Sequence, residues 1–141
     1  MIEGVVVEQL RNDGTISSIV STYDMNGTDT PAVFSNMAPE NAVYPYVVVT
    51  ARKYTIPDAV MDGFDVYIHY YERGESAANA RTVSERAEFI FDPNTFEDDR
   101  YATIRFWRRD ASQVAEPDPL EIHYLTLLQA RGSRKKWMQQ L

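Results

Sequence analysis

The spacing of apolar positions changes several times along the chain, and each change marks an element. Ile2, Val5, Val6 and Leu10 recur at helical spacing, and Asp13-Gly14 reads as the end signal of an amphipathic helix. Residues 15–41 are irregular, rich in Ser, Thr, Asn and Asp, with Gly27, Pro31 and Pro39 among them. Within that stretch Ile16, Ile19 and Val20 are placed to continue an interrupted helix, residues 32–35 to form a short strand, and residues 22–30 to form a long exposed loop. Contiguous Val47, Val48 and Val49 in residues 46–52 suit a central strand covered on both faces. In residues 64–71 the parity is clear: Asp65, Tyr67, His69 and Tyr71 point one way, Val66, Ile68 and Tyr70 the other. Turn chemistry at Ile56-Pro57-Asp58 and Asp62-Gly63 separates these two runs, over a span too long for a two-residue hairpin, which predicts a projecting hairpin or loop.

The period returns to helical over residues 76–91, with Ser76 placed to cap, a stripe of Ala80, Val83, Ala87 and Ile90 or Phe91, and Pro93 as the stop. Residues 101–109 and 120–129 read as strands joined by a Pro- and Asp-rich loop at 110–119. In the first of them Ala102, Ile104 and Phe106 lie opposite Thr103, Arg105 and Trp107. This order predicts an α+β fold: a mostly antiparallel sheet of about four to five strands with the N-terminal helix and the central helix packed on it. A chain of 141 residues with 44% hydrophobic content fits a single domain over 1–141, in which 131–141 is a basic C-terminal tail.

Without cysteine the chain holds neither a disulfide framework nor a thiolate metal site, so packing must stabilise it. Glu3 stands where a secretory signal would carry basic residues, and the apolar run at Val5, Val6 and Val7 is too short to span a bilayer; a soluble protein with no membrane partner is expected. The net charge of −7 argues against a general nucleic-acid binder, which needs a basic face for phosphates. Charge is uneven, however. No acidic residue follows Glu121, while Arg131, Arg134, Lys135 and Lys136 form a basic segment that ends in Trp137, Met138 and Leu141, an apolar tip suited to docking.

Catalytic chemistry finds little support. His69 and His123 are the only histidines, both on predicted strands, and a metal site would need carboxylates such as Asp65 brought to them. Asp24, Asp29 and the Glu97-Asp98-Asp99 run could supply paired carboxylates, but clusters beside turns are ordinarily just solvated. Neither a nucleophile elbow nor a glycine-rich phosphate loop occurs. No enzyme activity, cofactor or metal is expected. The aromatic and basic side chains are more suggestive: Tyr67, Tyr71, Arg105 and Trp107 sit where a sheet face free of helices would carry an interface, unless the N-terminal helix covers them as core. With Arg131, Arg134, Lys135, Lys136 and Trp137 they form the candidate interface.

The opening helix, the variable region, the Pro45-Tyr46-Val47-Val48-Val49 strand, the aromatic strand 64–71, the Ala-rich helix 76–91 and the closing strand pair with its Asp110-containing turn together resemble the tail-terminator, or tail-completion, proteins of long-tailed bacteriophages. The resemblance spans most of the chain as a pattern of elements. It implies a homo-oligomeric ring, commonly of six subunits, that ends tail-tube polymerisation and presents the tail to a neck or head-completion protein. The implied location is the head-proximal end of the virion tail, reached from the host cytoplasm during assembly, with DNA only as cargo passing through the lumen. The basic tail with Trp137 matches nothing in that pattern. Two alternatives carry different expectations: another neck or head-closure connector would bind the portal side, and a small-ligand-binding domain would use His69 and Asp65.

Overall fold

The first apolar stripe forms helix α1 (Ile2–Asn12), which buries Ile2, Val6, Val7 and Leu10. The computed structural model describes residues 2–57 and 60–136. Asp13 follows the end of α1, as expected, and also opens the helix that continues after it. Its backbone is extended and its carboxylate accepts the Ile16 N–H at 3.0 Å, which starts a second helix, α2 (Gly14–Ile19). The segment expected to be a long loop is a hairpin of β1 (Thr22–Met25) and β2 (Thr28–Pro31). Asn26 and Gly27 alone connect them, with φ of 54° and 85°. Positive φ at both central residues is the turn whose twist matches paired strands.

Six further strands build one sheet. They are β3 (Val33–Ser35), β4 (Tyr46–Tyr54), β5 (Met61–Arg73), β6 (Thr95–Phe96), β7 (Tyr101–Val114) and β8 (Glu121–Arg134), in the order β3-β4-β5-β8-β7-β6. Between β5 and β6 runs helix α3 (Ala78–Phe91). The expected α+β sheet of four to five mostly antiparallel strands is therefore corrected on two counts. The architecture is mostly sheet, 47% strand against 23% helix, in a curled six-stranded sheet with a separate two-stranded one. That sheet is also mixed, because β3 runs parallel to β4 while the other pairs are antiparallel. The short strand expected at 32–35 is present as β3; the strands that periodicity did not reveal, β1, β2 and β6, span two to four residues each, too short to show an alternation.

The long strands also exceed their expected limits. Asp62-Gly63, turn-like in composition, lies inside β5, where Gly63 pairs with Tyr54 and a Cβ would collide with the Tyr54 ring. Half of the expected 110–119 loop is ladder as well, since β7 continues to Val114 past a register shift between Arg108 and Asp110. Helix α3 begins one residue beyond Ala77, and Ser76 serves it by accepting the Ala78 N–H at 3.2 Å.

One buried cluster joins the helices to a single face of the sheet. Val47 and Val49 of β4, Val66, Ile68 and Tyr70 of β5, Leu128 and Ala130 of β8, and Ile104 and Phe106 of β7 meet α1, α2 and α3 there. Phe91, Phe96 and Phe106 close one end as an aromatic triad with centroids 5.0–5.6 Å apart. Inside, Thr126 Oγ1 donates to Ser84 Oγ at 2.8 Å, fixing α3 on β8 with a buried hydrogen bond worth about 1 kcal/mol. The helices tie to one another through Asp13, which caps α2 and takes both Nε and Nη2 of Arg86 on α3.

Candidate functional site

Pairing register fixes which side chains share the face turned away from the helices. Residues directly opposite one another across a sheet lie on the same face. Starting at one end, the rows read Tyr46, Tyr71, His123 and Val114; then Val48, His69, Leu125 and Ser112; then Thr50, Tyr67, Leu127 and Asp110; then Arg52, Asp65, Gln129 and Trp107; and finally Tyr54, Gly63, Arg131 and Arg105. Among the described residues no helix is part of this face. Helix α1, the element that could have covered the aromatic strand, packs with Val47 and Val49 in the core on the other side. Tyr67, Tyr71, Trp107 and Arg105 accordingly share the open face, and Arg131 joins them.

The two ends of the face differ in chemistry. At one end a stack of rings runs Phe34, Tyr46, Tyr71, His123 and His69, with centroid separations of 6.2, 5.2, 4.4 and 5.1 Å between successive members. His69 Nδ1 lies 2.9 Å from His123 Nε2, and His123 Nδ1 lies 2.8 Å from Glu116 Oε1. Burial, with the neighbouring His123 second, lowers the pKa of His69 below the ordinary histidine value. The expected partner Asp65 takes no part in this chain. Glu116 does, brought in by the turn that reverses β7 into β8, and only the pairing of those strands could have revealed it. Such a chain can pass a proton along its length and tether that turn to the sheet. Among the described residues no group of three or more His, Asp or Glu side chains is arranged to hold a metal ion.

At the other end the face is basic. Arg105 and Arg131 are direct cross-strand partners, both exposed, with the Arg131 guanidinium 6.0 Å from the centre of the Trp107 ring. Together with Met61, Thr95 and Thr103 they line a cleft of about 340 Å³. The expected basic tail thus starts inside the sheet, since Arg131 and Arg134 belong to β8, while Lys135 and Lys136 follow it. Trp137 lies outside the described residues.

Comparison with known proteins adds the fold. The chain matches a solved structure described as "Virion of native gene transfer agent (GTA) particle" with a TM-score of 0.73 at 15% identity, over 94% of each chain. The two share a fold. No family model and no curated protein matches the sequence. Among the described residues, no helix is long and apolar enough to cross a membrane.

Proposed function

We propose that this chain is a structural subunit of a phage-like virion, that it closes into a ring on the end of the tail tube, and that the ring ends tube growth and receives the head or neck. The observation that carries the reading is the fold shared over 94% of both chains with a component of a virion particle, on a sequence whose elements resemble tail terminators. Further support comes from the open face. Half-buried aromatics beside arginines, on a sheet surface that no described helix covers, have the composition of a protein interface. The net charge of −7 suits a ring through which DNA passes, because negative charge along a lumen lets DNA slide where positive charge would hold it.

In this reading the work is done by contact. The chain acts as a polymer terminator: one ring face matches the last tube ring, and the opposite face does not match another tube subunit. Polymerising the particle's tube protein with and without this chain tests it. Added protein should shorten the tubes in proportion to its concentration and appear at one end only. Tubes of unchanged length with no bound chain would contradict the reading, and binding only to the portal side would make the chain a neck connector instead.

A further inference from the structure

The basic cleft and the β1–β2 hairpin carry matching faults. Like charges directly opposite on a sheet are destabilising, and Arg105 with Arg131 make such a pair with no ion-pair carboxylate among the described residues. On the hairpin Asp24 and Asp29 are likewise direct cross-strand partners, exposed, and with no ion-pair cation among the described residues. Asp24 uses Oδ1 to accept the Gly27 N–H at 2.8 Å, which braces the two-residue turn, and Asp29 is exposed beside it. Each pair costs stability in an isolated subunit, and each supplies what the other lacks.

Their placement makes the match usable between copies. The hairpin runs directly into β3, the outermost strand on one side of the sheet, and Tyr23 of the hairpin packs edge-on against Phe34 of β3 at 5.3 Å. The cleft lies across β8, β7 and β6, and β6 is the outermost strand on the other side. One subunit cannot bring its own hairpin round to its own cleft without dismantling the sheet. A neighbour can offer its hairpin there. Contacts between two different surfaces on opposite sides of a subunit are heterologous, and they close into a ring when the rotation per subunit sums to a full turn.

We infer that the Arg105–Arg131–Trp107 cleft of one subunit receives the Asp24–Asp29 hairpin of the next, and that this contact joins the ring. The inference rests on the ring reading above and supplies its subunit contact. Two guanidiniums facing two carboxylates are desolvated only on assembly, where charge-assisted hydrogen bonds are shorter and stronger than neutral ones.

The test uses two charge-reversed full-length chains, R105E/R131E and D24R/D29R, each checked for cooperative unfolding above the assay temperature, with R105Q/R131Q as a milder companion. Wild type should form rings in native mass spectrometry, weakened by salt. Each reversed chain alone should form none, and the Gln variant should form fewer. Mixing the two reversed chains should restore rings that contain equal numbers of each, because only alternation places every cleft opposite an oppositely charged hairpin. Rings from either reversed chain alone, or no rescue on mixing, would overturn the inference while leaving the ring itself standing. Intact rings that lose only their retention of DNA would also overturn it and assign the arginines to phosphates. A wild-type chain that forms no ring, free or on tubes, would remove the ring reading and this contact with it.

Discussion

His69 and His123 are joined ring to ring by one hydrogen bond of 2.9 Å, and His123 Nδ1 lies 2.8 Å from Glu116 Oε1. Burial already lowers the pKa of His69 from its ordinary value of 6.5. The unfolded chain therefore binds the proton more readily than the folded one. The stability this provides is present in full above pH 6.5 and declines as pH falls below it. His69→Phe keeps a ring in the stack and removes the titration, so its unfolding free energy should fall less than that of wild type between neutral pH and about pH 5 in urea titrations. Equal slopes would show that His69 does not carry the dependence. Sequence parity had put His69 beside Tyr67 and Tyr71, but pairing with His123 depends on the β5–β8 register, which no local pattern encodes. Two glycines were hidden in the same way. Gly63 and Gly132 leave room for the Tyr54 and Tyr101 rings lying over them; at Gly132 a Cβ would stand 2.6 Å from the ring. Only tertiary contact distinguishes such positions from turn glycines.

Among the elements, α1, α3 and the four long strands were legible, because each repeats its period often enough to be read. What escaped was short or depended on a single dipeptide. Asn26-Gly27 was the available signal for the β1–β2 hairpin, but its flanks, Thr-Tyr-Asp-Met and Thr-Asp-Thr-Pro, are too polar to alternate and so read as a loop. Asp13 carries two signals: it follows the last residue of α1, as expected, and it is also the cap of the next helix. Its carboxylate serves α2 and Arg86 of α3 together, so Asp13→Ala should cost about 1–2 kcal/mol in denaturant unfolding. The Arg86 hydrogen bond is the main reason that the Asp13 pKa lies below its ordinary 3.8. A carboxyl depressed in the folded state gives stability that is present above that value and lost as pH falls below it. Asp13→Asn should therefore be less stable than wild type at neutral pH, with the difference narrowing in acid below about pH 4. A constant difference through the acid range would refute the pairing.

At the scale of the whole molecule, the three described helices pack on one face of the sheet, and no described helix covers the other, where the proposed assembly contacts lie. The candidate site was partly legible: parity puts Tyr67 with Tyr71 and Arg105 with Trp107, each pair on one face of its own strand, and the β5–β8–β7 pairing brings all four together. Arg131, expected in the basic tail and the candidate interface, lies on that face because β8 runs through Arg134. The hairpin's role was not legible, because cross-strand pairing is what sets Asp24 opposite Asp29. Cryo-electron microscopy of the native particle, with this chain labelled, tests the central claim most directly. The account predicts a single ring at the head-proximal end of the tail tube, each subunit's β1–β2 hairpin seated on its neighbour's β7–β8 face. A chain absent from the particle, or present along the whole tube, would contradict it.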